Sequence, residues 1–141
     1  SVEVTLISGR NDSIQALSQY SCEVNSKLDK FLDISNDLNP LHVDNAYAKE
    51  KGFDGRVVYG LLTASFYSTL VGVHLPGKYC ILQSIDTQFL KPVYIGETLT
   101  ISGKISYINE AFKQIEIQAT IVNQNGQKVS KATIKTGLID E

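Results

Sequence analysis

The sequence predicts an α+β fold in which one antiparallel sheet of about five strands wraps around one long central helix. The helix is indicated by residues 57–77, which carry no formal charge and end in Pro76-Gly77. The sheet is indicated by residues 79–138, where 19 of 60 residues are Val, Ile or Thr, types that favour extended backbone. One apolar helix can cover one apolar sheet face, so the two observations together predict a two-layer domain.

Length and composition are those of one globular domain. The chain has 141 residues, of which 43% are hydrophobic and 20% are charged. We therefore expect a single domain over residues 1–141, with residues 1–15 as a loosely attached N-terminal segment. The net charge of −2 and the scattered Lys and Arg residues argue against a nucleic-acid partner and against a basic membrane-binding patch.

The uncharged stretch 57–77 is long enough to cross a bilayer, but its polar side chains argue against a membrane span. We interpret it as a helix buried inside a soluble domain. The two cysteines, Cys22 and Cys80, follow no metal-ligand spacing. We expect them to be buried free thiols, which suits a cytoplasmic location and provides no metal site.

The first half of the chain is predicted to contain a short strand and three helices. The first two helices start at residues of types that cap helices, Asn25 or Ser26 and then Asp44. The first helix ends before Pro40, because the residue preceding a proline avoids the α region. The predicted ranges are a strand over 16–24, a helix after Ser26, a helix from Asp44 through Lys51, a loop over 52–56 and the buried helix over 59–73.

The second half is predicted to form the sheet. Residues 99–107 and 115–121 alternate apolar and polar side chains with the period of two that strands with one wet face show. Residues 123–126, NQNG, are a hairpin turn signal before a last strand over 128–138. Tyr107 and Phe112 fall in this region, and we expect both to pack in the core.

A single curled sheet leaves edge strands unpaired. Pairing one edge with a second copy of the chain would cover it. The sequence therefore predicts a homodimer.

The densest polar cluster is SNDLNPLHVD at residues 35–44. Taken singly, Asp37 and Asn39 are explained by local turn hydrogen bonds, and His42 by incidental packing. Taken together they are more specific, because Pro40 restricts the backbone between a carboxylate and an imidazole. His42 can exchange a proton near neutral pH, and a desolvated aspartate can act as an acid. Such a pair could position a water molecule and add it across a polarised double bond.

Four segments together resemble the MaoC-like (R)-specific enoyl-CoA hydratases, which have the hot-dog fold. Residues 37–42, DLNPLH, match the D-x-N-P-x-H segment of that family. Residues 57–65, VVYGLLTAS, are similar to its I-V-H-G-M-L-L-A-S at the start of the central helix. The other two segments are LPG at 75–77 and FLKPVYIGE at 89–97, which is similar to F-x-x-P-V-x-x-G-D.

The resemblance implies an acyl dehydratase that reversibly hydrates trans-2-enoyl thioesters to (R)-3-hydroxyacyl thioesters. Asp37 and His42 would be the catalytic dyad that holds the attacking water. Gly60 would give its N–H to the thioester oxygen, Ser68 would support the substrate site, and Asn39 would brace the turn between the dyad residues. No metal or redox cofactor is expected, and coenzyme A or acyl carrier protein would be part of the substrate.

The chain departs from the family pattern at two positions, where Tyr59 replaces a histidine and Asn36 replaces a glycine. The Ser68 hydroxyl has a purely local alternative, a hydrogen bond to a carbonyl of its own helix. Two other functions stay open: a non-catalytic module that binds an acyl chain or its carrier, and an acyl-CoA thioesterase. Weaker candidates for contacting coenzyme A phosphates are His74, Lys78 and Arg56.

Overall fold

The computed structural model describes residues 17–23 and 27–139. The expected N-terminal segment 1–15, the helix caps Asn25 and Ser26 and the side chain of Cys22 lie outside this description. The helices are α1 (Lys27–Ser35), α2 (Pro40–Val43), α3 (Asn45–Glu50) and α4 (Gly60–Thr69), which continues into a π-helical turn over Leu70–His74. The strands are β1 (Leu17–Glu23), β2 (Cys80–Phe89), β3 (Thr98–Asn109), β4 (Gln114–Val122) and β5 (Lys128–Leu138).

The five strands form one antiparallel sheet with the order β1-β3-β4-β5-β2. This confirms the predicted α+β architecture. The strands β3, β4 and β5 follow one another in sequence and pair side by side in the sheet. The strands β1 and β2 come from earlier in the chain and form the two edges.

The two-residue periodicity of the sequence indicates which face of the sheet is buried. Along β4, the alternate residues Ile115, Ile117, Ala119 and Ile121 are buried, and the intervening residues are half-buried. Gly103 on β3 lacks a side chain where Leu70 approaches, since a Cβ there would lie 2.8 Å from the Leu70 side chain. The helical segment can therefore pack directly on the sheet.

The central helix is found where the sequence predicts it, and seven of the 15 residues from Gly60 to His74 are buried. The helix is positioned on the sheet by a buried hydrogen bond from the Tyr67 hydroxyl to Oγ of Ser130 on β5, with a length of 2.8 Å. Ser130 Oγ also lies 3.2 Å from the Thr87 hydroxyl on β2. One stripe of the helix is nevertheless exposed, and it includes Leu61 and Ser68.

The expectation that Tyr107 and Phe112 pack in the core is wrong. Tyr107 is 58% exposed and Phe112 is 79% exposed. A register shift between Ile105 and Tyr107 places Tyr107 opposite Glu116, on the wet face, and Phe112 lies in the turn after β3. A bulge inserts one residue into a strand and so reverses the alternation beyond it.

Two other expectations can be compared with the described residues. Cys80 is a half-buried free thiol, and burial raises its pKa. Across residues 17–23 and 27–139, no helix has both the length and the apolarity needed to cross a membrane. The cytoplasmic location stays a prediction.

Candidate active site

The turn after α1 presents the first site residue, Asp37. Asn36 has a φ of 55° and donates its N–H to Leu32 O at 2.8 Å, which ends the helix. Asparagine and glycine are the residues that adopt this left-handed conformation most readily, so Asn36 can fill a glycine position without distorting the turn. The Asp37 side chain is exposed, and its Oδ1 accepts the Asn39 N–H at 3.0 Å.

Asn39 is the N-cap of α2, a four-residue helix that the sequence analysis did not predict. Asn39 Oδ1 accepts the Leu41 N–H at 3.0 Å, and Pro40 occupies the first turn. A capping residue followed by proline is a known helix-start signal and could have revealed this element. The His42 N–H donates to Asn39 O at 2.9 Å. Asn39 therefore braces the backbone between Asp37 and His42.

The ring of His42 is oriented by a main-chain carbonyl. His42 Nδ1 lies 2.7 Å from Val57 O, and because a carbonyl oxygen can only accept, Nδ1 carries the proton. In the neutral ring, Nε2 is then an unprotonated acceptor, the state required of a general base. Arg56 Nε donates to His42 O at 2.6 Å, and the Arg56 guanidinium lies 3.6 Å from Asp29. Arg56 therefore braces α2 against α1.

The start of α4 offers main-chain donors. Tyr59, the N-cap residue, makes no side-chain cap hydrogen bond, and the first intrahelical bond runs from Thr63 N–H to Tyr59 O at 3.1 Å. The N–H groups of Gly60 and the next two residues precede that bond, so they have no partner within the helix. The helix dipole makes this end favourable for a developing negative charge. Gly60 does not have a positive φ.

His42 and Gly60 line the same apolar cavity, which has a volume of about 350 Å³. Its walls also include Phe89, whose ring atoms would lie 3.3–3.4 Å from a Cβ placed on Gly60. The remaining lining residues are Val57, Val58, Thr63, Leu90, Lys91, Pro92, Val93 and Val129. The fold thus brings together an imidazole from α2 and a helix N-terminus from α4.

Asp37 and Ser68 stand apart from that cavity, since neither belongs to its lining. Asp37 is instead linked to the helix start through its main-chain carbonyl, which accepts the Tyr59 hydroxyl at 2.8 Å. Ser68 is exposed and lies eight residues beyond Gly60, about 12 Å along the helix axis.

The sequence analysis gave Tyr59 no role and treated it only as a departure from the family pattern. It is 2% exposed, its ring centroid lies 4.1 Å from that of His42, and its other neighbour is Phe31 at 4.9 Å. Burial, and secondarily the Asp37 carboxylate, raise the pKa of the Tyr59 phenol. The phenol therefore stays protonated at neutral pH and donates its hydrogen bond to Asp37 O. The sequence signal that could have pointed to Tyr59 is its position directly before Gly60, at the start of the helix.

One antiparallel sheet packed around one central helix is the arrangement of the hot-dog fold. Residues 12–127 match the MaoC like domain. The chain belongs to the MaoC-like domain family.

Individual relatives agree with this assignment. The chain is 34% identical to an (R)-specific enoyl-CoA hydratase of Aeromonas caviae over 96 residues, which are 68% of this chain and 72% of that protein. It is 38% identical over 69 residues to a mitochondrial 3-hydroxyacyl-[acyl-carrier-protein] dehydratase of Arabidopsis thaliana, covering 49% of this chain and 40% of that protein. The solved structure of an A. caviae (R)-hydratase superposes with a TM-score of 0.85 at 26% identity, over 93% of this chain and all of that one.

Proposed function

We propose that this domain catalyses the reversible syn addition of water to trans-2-enoyl thioesters, giving (R)-3-hydroxyacyl thioesters. One observation carries the proposal: His42, with its Nδ1 proton directed to Val57 O, shares an apolar cavity with the helix start at Gly60. A base and an oxyanion donor beside an apolar chamber are the parts that this addition requires. The names of the curated relatives, a hydratase and a dehydratase, support it.

The residues have separate tasks in the proposed reaction. His42 Nε2 takes a proton from water as the hydroxide oxygen bonds to the β-carbon. The double bond's electrons move towards the thioester carbonyl, whose oxygen becomes an enolate that accepts the Gly60 N–H. Asp37 orients the water and helps His42 to deliver the proton taken from that water to the α-carbon. This step completes the addition and returns His42 to its neutral state.

The thioester makes further cofactors unnecessary for this step, because its carbonyl already acidifies the α-carbon. We therefore propose a reaction without metal or redox cofactor. The carrier is coenzyme A or acyl carrier protein, and the relatives' names include both. Asn39 supports the proposed site through the turn that it braces. The role of Ser68 in substrate binding stays a prediction, because this exposed residue lies outside the cavity lining.

We also propose that the enzyme is a homodimer formed through β2. This strand is ten residues long and pairs only with β5 in the described sheet. It exposes Ile81, Leu82 and Phe89. A long, exposed and apolar edge strand promotes association, and a twofold axis lets it pair with its own copy.

Crotonyl-CoA is the first substrate to test, because a cavity of about 350 Å³ is at the small end for ligand sites. The assay follows enoyl absorbance and free thiol in the same sample. We expect the enoyl signal to fall without thiol release, and the product to be the (R) isomer. Thiol release would instead identify a thioesterase, and binding without either change would identify a non-catalytic module.

His42→Ala is the control variant for that assay. This variant should fold like the wild type, but the enoyl absorbance should no longer fall when it is mixed with crotonyl-CoA. A panel of enoyl thioesters of increasing length, on coenzyme A and on acyl carrier protein, then defines the acyl length and the preferred carrier.

A further inference from the structure

Tyr59 touches all three parts of the proposed site. Its hydroxyl contacts the main chain of Asp37, its ring lies against His42, and its own backbone is the N-cap of α4, directly before Gly60. These groups come from three separate segments of the chain.

The hydroxyl acts on Asp37 through a hydrogen bond of good geometry. The distance from Tyr59 Oη to Asp37 O is 2.8 Å, and the contact spans 22 positions of sequence. Asp37 otherwise lies in an exposed turn whose contacts are local, to Ser35 and Asn39. The Tyr59 hydrogen bond is therefore the long-range contact that fixes the Asp37 backbone relative to the helix start.

The ring acts on His42 through stacking. The two ring centroids are 4.1 Å apart and the ring planes meet at 31°. Phe31 packs on Tyr59 at 4.9 Å, so the tyrosine ring is itself held. Together with the Nδ1 hydrogen bond to Val57 O, this contact leaves His42 little freedom to rotate.

We propose that Tyr59 is a positioning residue that sets the geometry of Asp37 relative to His42: its hydroxyl anchors the Asp37 main chain and its ring fixes the plane of the imidazole. The proposal rests on the proposed hydratase function, and it assigns a task to the residue that replaces the histidine of the family pattern. Tyr59 is absent from the cavity lining, so it acts through the dyad and not through contact with the acyl chain.

Tyr59→Phe removes the hydroxyl and keeps the ring. Because small displacements of reacting groups are costly, we expect kcat to fall by about 10- to 100-fold. KM should stay within about twofold, because the cavity walls are unchanged. The matched control is Tyr67→Phe. It removes the hydroxyl of a buried tyrosine eight positions further along α4, which is bonded to Ser130 on β5. This control should lose stability and keep its kcat.

A double-mutant cycle separates positioning from general destabilisation. In an Asp37→Asn background, Tyr59→Phe should lower kcat by less than about threefold, since the group that it positions no longer functions. Equal losses in both backgrounds would overturn the positioning role. A Tyr59→Phe enzyme with a kcat within about twofold of the wild type would overturn it as well.

The ring contact can be tested without activity. The chain has two histidines, His42 and His74, so ¹⁵N NMR of the imidazoles gives two resolved signal sets. We expect Tyr59→Leu to shift the His42 nitrogen signals away from the pure Nδ1–H tautomer and to leave those of His74 unchanged. Unchanged His42 signals in a folded Tyr59→Leu protein would overturn the ring's role. The NMR test does not depend on activity. If the wild type hydrated no enoyl thioester, the proposed function would be refuted, but the NMR test of the ring contact would still be valid.

Discussion

His42 and Asp37 are oriented mainly by main-chain atoms. The His42 ring is bonded to Val57 O, the Asp37 carboxylate accepts the Asn39 N–H, and the Asp37 carbonyl accepts the Tyr59 hydroxyl. Their geometry therefore depends on how the backbone of the 36–42 turn and of the helix start is held. Substituting the dyad side chains themselves should leave this backbone intact.

The dyad should act as one unit. Asp37→Asn and His42→Ala are each expected to lower kcat by about 10²–10⁴, the usual contribution of a positioned acid or base. The double variant should be little worse than the poorer single one, because both groups manage the same water. Steady-state kinetics on crotonyl-CoA measures this. A folded His42→Ala enzyme that keeps most of its activity would remove His42 from the mechanism.

Gly60→Ala tests the helix start. The backbone there is not left-handed, but the new Cβ would lie 3.3 Å from the ring of Phe89, which is 49% exposed and can yield. We therefore expect little change in Tm and a strong fall in kcat/KM, since the methyl and the displaced ring narrow the cavity beside the thioester.

Gly72→Ala is the matched control for that substitution. Gly72 lies in the π-helical turn after α4. Among the described residues, no atom outside its own helix backbone and chain neighbours lies within 4 Å of a Cβ placed on it. It should keep wild-type kinetics. A stable Gly60→Ala enzyme with wild-type kcat/KM would mean that no thioester approaches this backbone.

Among the elements, α4 is tied to the sheet by a buried polar contact as well as by apolar packing. Tyr67 is fully buried and bonds to Ser130 on β5, which in turn lies next to Thr87 on β2. Hydrogen bonds are directional where apolar contacts are not. This contact therefore selects one position of the helix over its neighbours.

Tyr67→Phe should lower the free energy of unfolding by about 1 kcal/mol, the net contribution of one such hydrogen bond. The effect should depend on pH. Burial raises the pKa of Tyr67 to about 12, above the ordinary tyrosine value of 10.0. The stabilising contribution of the protonated phenol is therefore complete below pH 10 and is lost as the pH rises through 12. Urea unfolding of both proteins between pH 8 and 12 measures this. We expect the wild type to lose more stability over that range, and equal losses would contradict the assigned cause.

At the scale of the whole molecule, the exposed edge strand β2 is the feature that a second copy of the chain would cover. An unpaired edge presents free N–H and C=O groups, and apolar side chains beside it favour a partner strand. Light scattering should give twice the 15.5 kDa mass of one chain at micromolar concentration. A mass near 15.5 kDa would refute the dimer.

Ile81→Lys should shift that equilibrium towards single chains, because it places a charge on the proposed interface. Ile108→Lys is the control, because Ile108 is 43% exposed, against 52% for Ile81. Unlike the edge strand β2, the strand of Ile108, β3, is an interior strand that pairs with both β1 and β4. Equal effects of the two substitutions would point to a different interface.

Much of the fold can be predicted because its signals are local. The last strand is predicted over 128–138 and found at Lys128–Leu138, since a strong turn signal precedes it. Asp44 caps α3 as predicted, accepting the Tyr47 N–H. The turn of the candidate site is also local, and its residues lie within positions 36–42. The catalytic and binding roles assigned to these residues stay predictions.

The sequence by itself determined the order of the longer helices and of the sheet region, the buried face of β4 and the segments that mark the family. These features could be predicted because periodicity, caps and turns act over a few residues. Only the tertiary structure decided which His42 nitrogen is free, what Tyr59 contacts, and which side of the sheet Tyr107 faces. The His42 and Tyr59 hydrogen bonds join residues 15 and 22 positions apart, and the bulge that turns Tyr107 outward is a mismatch between two paired strands. Such contacts depend on which segments meet in the folded chain, and no local pattern encodes that.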